Sequence, residues 1–244
     1  MFISDFKGAP FSLFGKTGGV TPTAASDASP TTLAGARFST SSGHEMVLVL
    51  NGAVALVSGV LVQSPATIGA NHTGLAVVGV ATANPIGATT LTVTNGGTAT
   101  TANQYAGGYA VISAGTGIGQ TFRINGNTAA GTSGNTTLYL EDPLSVAVTS
   151  ADSKVSLTLN QHTNVVVSPT ASTGASVGVT LYPIPAASYG FLVKRGPVAC
   201  LNDSATAVGL DVMPSSAVPG AVLTYVVATR NRVGTSTVAG ENTK

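Results

Sequence analysis

The chain has 244 residues, of which only 8% are charged, and its formal net charge is +1. This length is sufficient to bury the core of one large domain or two small ones. Disordered chains combine high net charge with few β-branched residues, so this composition excludes that class. Because so few charges favour association, we expect much of the surface to be covered by copies of the same chain or by a partner.

The N-terminal segment differs in composition from the rest of the chain. Residues 1–40 lack strand alternation, and their phenylalanines stand among Gly, Pro, Ser and Thr. The segment either packs back onto its own domain or forms an extended arm whose aromatic side chains fill pockets on a neighbouring subunit. The candidate anchors of such an arm are Phe2, Phe6, Phe11 and Phe14. This N-terminus also lacks the basic start and apolar stretch of a secretory signal, so we do not expect classical export.

The run MVLVLNGAVALVSGVLV at residues 46–62 is apolar enough to raise the question of a membrane helix. A spanning helix needs about 20 mainly apolar residues, and this run is shorter and contains polar and glycine residues. Its valines favour an extended backbone, and Asn51-Gly52 is typical of a type I′ hairpin turn. The run therefore predicts a hairpin of strands 45–50 and 53–57, a turn at Ser58-Gly59, and a third strand from Val60 to Gln63.

The same pattern of short Val-, Leu-, Ile- and Thr-rich runs between Gly, Asn, Ser and Pro continues along the chain and predicts strands throughout. We predict an all-β protein with one or two small antiparallel β-barrel or sandwich modules and the extended N-terminal arm. The modules are residues 41–160 and residues 161–244, the latter being a second module or a continuation of the first. The further predicted strands cover residues 75–81, 89–94, 109–113, 120–124, 137–140, 154–159, 164–167, 177–181, 190–194, 197–201, 210–213 and 222–229.

Several motifs suggest a ligand or metal site, but the residues around each motif do not match the pattern that such a site requires. Gly15-Lys16-Thr17 lacks the earlier glycine and the following helix of a phosphate-binding loop. The glycines at 115, 117 and 119 precede an extended stretch, which favours a hairpin connection over a dinucleotide loop. The histidines at 44, 72 and 162 lack the spacing of a metal motif, and Asp142-Pro143 is typical of a turn. We therefore expect no catalytic residues, no cofactor and no metal, and hence no enzyme.

Two further features concern single residues and small clusters. Cys200 is the only cysteine, which excludes an internal disulfide, and we expect it to be a small buried residue. The basic foci Lys194-Arg195 and Arg230-x-Arg232 are too sparse for a nucleic-acid surface. They are candidate partner-binding residues at the rim of a contact between subunits, where Arg is enriched.

Several stretches together resemble the β-rich virion proteins of tailed bacteriophages, and most of all capsid cement or decoration proteins. They are GAVALVSGVLVQSPA, GGYAVISAGTGIGQTFRI, LYLEDPL, SKVSLTLNQHTNVVV, ASYGFLVKRGPVACL and AVGLDV, within residues 45–225. The resemblance implies a homotrimer that binds the major capsid protein on the outer surface of the capsid and stabilises the shell by bridging capsomers. Such a protein is made in the host cytoplasm and has neither nucleic acid nor a membrane as a partner.

A second class of function stays open from the sequence. The chain is alternatively another virion component, namely a head fibre, a tail or baseplate protein, or a host-binding adhesin. Fibres usually carry long repetitive shafts, and no regular period is visible in this sequence. This favours a compact capsid-bound protein over a rod.

Overall fold

The computed structural model describes residues 34–40, 43–65, 72–77, 84–226 and 231–238. These ranges contain fifteen short strands and no α-helix, and every ladder between the strands is antiparallel. The predicted all-β class is confirmed. The strands are β1 (Arg37–Ser39), β2 (Glu45–Leu50), β3 (Leu61–Gln63), β4 (Leu75–Ala76), β5 (Thr90–Thr94), β6 (Tyr109–Ala114), β7 (Thr121–Asn127), β8 (Asn135–Leu140), β9 (Lys154–Thr158), β10 (Val166–Val167), β11 (Ser176–Thr180), β12 (Tyr189–Arg195), β13 (Asp211–Pro214), β14 (Val222–Thr224) and β15 (Gly234–Thr235).

The strands group into two compact units, and one of them is built from two separate parts of the chain. Unit 1 combines residues 34–65 with residues 161–238, and unit 2 comprises residues 72–160. Residues 45–63, which the sequence analysis assigned to the same module as unit 2, pair instead with later residues. Strand β2 pairs with β12, and β3 pairs with β10 and β11. Unit 2 is thus an insertion within unit 1 along the sequence.

Unit 2 is an almost closed barrel. Its six strands follow the order β4-β9-β6-β7-β8-β5, and an antiparallel bridge from Val77 to Val93 joins the two edge strands. The predicted hairpin connection at residues 115–119 joins β6 to β7, and Gly115, Gly117 and Gly119 all have positive φ there. Since a closed sheet leaves few unpaired backbone groups, closure protects the barrel edges from pairing with other chains.

Alternation along the strands places every second side chain inside the barrel. In β6 the side chains of Ala110 and Ile112 are fully buried, while Tyr109 and Ser113 face outward. Strands β5, β7, β8 and β9 repeat this pattern, so their apolar residues meet in one core. A barrel of this small size has an interior filled by side chains. The core contains Leu75, Val77, Leu91, Val93, Tyr105, Ala110, Ile112, Phe122, Ile124, Leu138, Leu140, Leu144, Val148, Val155 and Leu157.

Several buried polar groups in unit 2 form hydrogen-bond networks, one of which is a closed ring. Asn95 Nδ2 donates to Thr100 Oγ1 at 3.1 Å, and Thr136 Oγ1 donates to Asn95 Oδ1 at 2.9 Å. The two threonine hydroxyls are 2.6 Å apart, which closes the ring. Elsewhere His72 Nε2 is 3.1 Å from the carbonyl oxygen of Thr98, and its Nδ1 contacts the hydroxyl of Tyr105. A fully satisfied buried network stabilises one packing arrangement, because the loss of any member would leave its partners buried without a hydrogen bond.

Unit 1 contains a six-stranded and a three-stranded sheet. The first has the order β1-β2-β12-β11-β3-β10, and the second has the order β14-β13-β15. Aliphatic side chains of β2, β3, β11 and β12 and of the connecting segments form the core of the larger sheet. They are Val47, Val49, Leu56, Val60, Val62, Val165, Val177, Ile184 and Leu192.

The predicted hairpin at Asn51-Gly52 is wrong, although strand Glu45–Leu50 has the predicted bounds. Residues 53–57 form no strand, and β2 pairs with β1 and β12. The buried Asn51 amide explains the difference, because its Nδ2 lies 2.9–3.1 Å from the carbonyl oxygens of Val54, Ile184 and Pro185. These contacts hold the chain beside residues 184–185 and prevent it from folding back on β2. The predicted strand at 197–201 is likewise absent.

Part of the predicted N-terminal arm belongs to the larger sheet. Residues Arg37–Ser39 form β1, which pairs with the start of β2. The Phe38 ring packs edge-on against the Phe191 ring with 5.3 Å between their centroids. The end of this segment therefore packs onto its own unit, while residues 1–33 lie outside the described ranges.

His162 packs beneath the segment that leads into β1. A Cβ at Gly35 would lie only 3.1 Å from His162 Nδ1, and Gly35 has a φ of +104°, so both space and backbone conformation favour glycine there. Burial lowers the pKa of His162, and the positive charges of Lys194 and Arg37 lower it further. The folded state therefore favours the neutral form of the His162 imidazole.

We predict that unit 1 loses stability in mild acid because of His162. The unfolded chain binds a proton at this histidine near pH 6.5, whereas the folded chain does so only at lower pH. The contribution is complete above about pH 6.5 and is lost as the pH falls through the folded-state value. Urea unfolding of His162→Gln should show a shallower fall in free energy between about pH 7 and pH 5 than the unchanged chain. Identical pH profiles would contradict this assignment.

We also predict that Thr136→Val lowers the free energy of unfolding of unit 2 by about 1–3 kcal/mol, because Asn95 and Thr100 would lose a buried partner. The matched control is Thr121→Val on the exposed face of β7, which should change stability by less than about 0.5 kcal/mol. Denaturant unfolding, with hydrogen exchange of the β5 and β8 amides, measures both. If both variants lowered the free energy of unfolding equally, the hydrogen-bond network would make no specific contribution to the stability of unit 2.

Candidate partner-binding surfaces

Unit 1 carries a groove of about 1130 Å³ that is lined by residues of both its sheets. Small-molecule sites usually measure roughly 300–1,000 Å³, so the groove is large enough for a peptide segment. Its walls are mainly aliphatic, which favours apolar occupants. The aliphatic lining includes Leu61, Val177, Val179, Val193, Val198, Val212, Val222, Val233 and Val238.

Two of the four predicted basic residues meet at this groove. Lys194, near the end of β12, and Arg232, just before β15, both line it. Arg232 Nη2 is 3.0 Å from Asp211 Oδ1 and donates to Thr235 Oγ1 at 2.7 Å, so the protein itself holds its guanidinium in place. A positioned arginine and a lysine beside an aliphatic surface resemble the polar rim of a protein interface.

The other predicted partner-binding residues are not brought to the groove. Arg195 is exposed at the end of β12, opposite Glu45, and does not line the groove. Arg230 and the four candidate anchors Phe2, Phe6, Phe11 and Phe14 lie outside the described residues. Their role as an arm therefore stays a prediction.

Cys200 lies in the groove wall and is a free thiol that is only partly buried, rather than a core residue. Burial raises the pKa of Cys200 to about 11, and a hydrogen bond from the Leu61 backbone opposes this shift. Since the thiolate is the reactive form, this cysteine is poorly suited to nucleophilic or redox chemistry at neutral pH.

Exposed aliphatic side chains gather at the end of the barrel that carries the β6–β7 hairpin. Ile118 in the hairpin is 66% exposed, and Val146 follows β8. The Gln120 side chain links the two segments, because its Nε2 donates to the carbonyl oxygens of Gly117, next to Ile118, at 3.1 Å and of Val146 at 3.0 Å. We call Ile118 and Val146 the barrel-end cluster. In unit 1, Val208, Leu210 and Val238 are similarly exposed beside β13 and β15.

The outer face of the barrel carries two tyrosines that the sequence analysis did not single out. Tyr109 on β6 and Tyr139 on β8 are 48% and 45% exposed. The outward side chains of β5, β8 and β9 near these tyrosines are mostly short, and many carry a hydroxyl group. The alternation of β6 and β8 could have indicated their outward direction, but not that neighbouring strands bring them to one surface.

The three histidines are divided between the two units. His72 contacts Tyr105 inside unit 2, whereas His44 and His162 belong to unit 1, where His44 Nε2 is 2.7 Å from the carbonyl oxygen of Pro197. Among the residues that the structure describes, no three His, Cys, Asp or Glu side chains are grouped to hold a metal ion. Glu141 of the Glu141-Asp142 pair lies 3.5 Å from Arg123 Nη1.

Comparisons with known proteins give no identification: no family model, no curated protein and no solved structure matches the chain. Within the described ranges, no helix has the length and apolar character needed to cross a bilayer. The surfaces described above are therefore the basis on which a function can be proposed.

We predict that Cys200 reacts slowly with iodoacetamide in the folded protein. A pKa raised from 9.0 to about 11 reduces the thiolate fraction near pH 8 by about a hundredfold. The control is the same chain in urea, where the reaction should be fast. The folded-state rate should keep rising up to about pH 11, whereas a plateau near pH 9 would contradict the burial effect.

Proposed function

We propose that this chain is a non-enzymatic structural protein of a tailed-bacteriophage virion that self-associates as a homotrimer and cements the capsid. In this role it binds the major capsid protein on the outer surface of the shell and bridges capsomers. The observation that carries the proposal is the barrel-end cluster of exposed aliphatic side chains on a chain with 8% charged residues. The resemblance of residues 45–225 to phage cement proteins supports the same role.

The size of the exposed clusters indicates how such a protein would bind. Burying a fully exposed Val or Ile side chain contributes about 2 kcal/mol. Because Ile118 is 66% exposed and Val146 is 47% exposed, burying the barrel-end cluster contributes about 2 kcal/mol before any cost. Association itself costs roughly 4–15 kcal/mol in lost freedom. One such cluster is therefore too small to hold two molecules together, and several contacts must act at once. A closed trimer presents each surface three times and gains affinity through multivalency.

Cementing then follows from mass action. A protein that binds the assembled, expanded shell but not the free capsid subunits makes disassembly less favourable by an amount that grows with its concentration and affinity. This role needs no reacting group. It needs repeated apolar contacts and a polar rim such as Lys194 and Arg232. It also needs a fold whose strand edges are protected from unwanted pairing with other chains.

We predict that the purified chain forms a closed oligomer and that the barrel-end cluster contributes to it. Replacing Ile118 and Val146 together by Asp should shift the protein to monomers in light-scattering measurements of mass. The control is Thr132→Asp in the exposed β7–β8 loop, which should leave the oligomer intact. An unchanged chain that stays monomeric at high concentration would overturn the self-association part of the proposal.

The capsid part of the proposal is tested separately with expanded capsids of the phage that encodes the chain. The full chain should bind them at a saturating ratio, and deletion of residues 1–16 should weaken binding while the hydrogen exchange of both units is unchanged. Equal occupancy by the deleted chain would remove the arm from the mechanism. No binding of the full chain to the capsids would overturn the cement role.

A further inference from the structure

The outer face of unit 2 carries an arrangement of side chains that the proposed structural role does not use. We propose that Tyr109, Arg123 and Tyr139, together with Asn103 and Glu141, form a binding site for a neutral oligosaccharide. The site lies entirely within unit 2, on strands β6, β7 and β8 and the loop before β6. The inference goes beyond the cement role and does not depend on it.

Strand register places the two tyrosines on either side of an ion pair. Tyr109 is directly opposite Arg123 in the β6–β7 ladder. The backbone nitrogen of Glu141 donates to the carbonyl oxygen of Arg123 at 2.9 Å, and Arg123 Nη1 is 3.5 Å from Glu141 Oε2. Tyr139 on β8 precedes Glu141 by two residues, and Glu141 directly follows the end of β8. With strands about 4.8 Å apart and about 3.4 Å per residue, the tyrosine positions are about 12 Å apart.

Asn103 adds an amide next to one of the rings. Gly126 is paired with Tyr139, and a Cβ on Gly126 would lie 2.6 Å from Asn103 Oδ1 and 3.8 Å from Tyr139 Cδ2. The missing side chain of Gly126 therefore leaves room for the Asn103 amide beside the Tyr139 ring. Asn103 has a φ of +57°, a left-handed conformation that asparagine tolerates better than most residues. This backbone conformation directs the amide from the loop onto the strand face.

The chemistry of these groups matches a sugar better than other ligands. A tyrosine ring offers an apolar face for the C–H groups of a pyranose, and its hydroxyl stays available for hydrogen bonding. The Asn103 amide and the Arg123–Glu141 pair supply both donors and acceptors, which is what a ligand rich in hydroxyl groups requires. Two tyrosine positions about 12 Å apart on the sheet suit a ligand of several sugar units rather than one.

Charge argues against the other classes of partner. Glu141 lies beside Arg123, so the site has little net charge to attract a phosphate backbone, which nucleic-acid binding requires. Ile118 of the barrel-end cluster lies in the β6–β7 hairpin, whereas the Tyr109–Arg123 pair is at the end of the β6–β7 ladder away from the hairpin. The surroundings of the rings are instead hydroxyl-bearing, as with Thr90 opposite Tyr139 and Thr158 opposite Tyr109. A wet, hydroxyl-rich surface favours a saccharide over an apolar protein surface.

The test uses the full chain and an array of neutral and charged glycans, followed by NMR titration with cellotetraose, maltotetraose and the best array ligand. We expect binding to neutral oligosaccharides with shifts of tyrosine ring signals. Tyr139→Ala and Tyr109→Ala should each weaken binding at least tenfold. The matched control is Tyr182→Ala, which removes a similarly exposed tyrosine of unit 1 and should leave affinity unchanged.

Asn103→Ala and Arg123→Gln extend the test to the polar groups, and each should weaken binding severalfold with unchanged hydrogen exchange of the barrel. The proposal is overturned if no neutral glycan binds, if only charged glycans bind, or if Tyr139→Ala and Tyr182→Ala have equal effects. The proposal is supported if Tyr109→Ala and Tyr139→Ala abolish glycan binding while the barrel amides of both variants exchange as they do in the unchanged chain.

Discussion

Alternation of side chains between core and surface, with a period of two residues, is the constraint on which both units depend. The strands are short, so each contributes only two or three side chains to a core. Closing the barrel of unit 2 brings those small contributions together, from Leu91 on β5 to Val155 on β9. A shift of register by one residue would turn every apolar side chain outward, so the register is strongly specified. The bulges between Ile112 and Ala114 and between Ile124 and Gly126 show where the ladder adapts to this requirement.

The same alternation explains how a chain with so few charges presents a surface to water. Outward positions of the barrel strands are occupied largely by Thr, Ser and Asn, which also bond to one another across strands. Thr92 and Thr137 are 3.0 Å apart between their hydroxyl oxygens, and Thr94 donates to Asn135 at 3.2 Å. Hydroxyl groups thus replace charges as the polar surface of unit 2. Aliphatic side chains are exposed mainly in loops and at strand ends, such as Ile118 and Val208, so the apolar contacts available to partners are confined to small areas.

The candidate surfaces of the two units differ in chemistry, although exposed aliphatic side chains occur in both units. Unit 1 offers an aliphatic groove with Lys194 and Arg232 at its wall, which suits a protein segment. Unit 2 offers an aromatic and hydroxyl-rich sheet face, which suits a sugar. A virion protein that holds a shell and also contacts polysaccharide would need these two kinds of surface. The groove and the tyrosine-bearing face are built on different compact units.

The sequence by itself determined the class and most strand positions, because alternation and turn residues are local properties. Strand β2 has the predicted bounds, and the predicted ranges for β5, β6 and β9 differ by only one residue at an end. The strand prediction failed where residues distant in the sequence bind a segment whose own residues favour a turn. The Asn51-Gly52 signal favours a tight turn, but the carbonyl groups of residues 184 and 185 bind the Asn51 amide, and the hairpin does not form.

Only the tertiary structure decided which strands became neighbours and therefore which side chains share a surface. Residues 45–63 join strands more than a hundred positions later, so unit 1 is discontinuous along the chain. Lys194 and Arg232 were predicted as separate basic foci, and folding brings both to one groove. Tyr109, Arg123 and Tyr139 carry no motif, and their relation exists only through the register of three strands. The physical reason is that strand pairing uses backbone groups common to all residues, so the sequence specifies a strand locally but its partner only through the packing of the whole core.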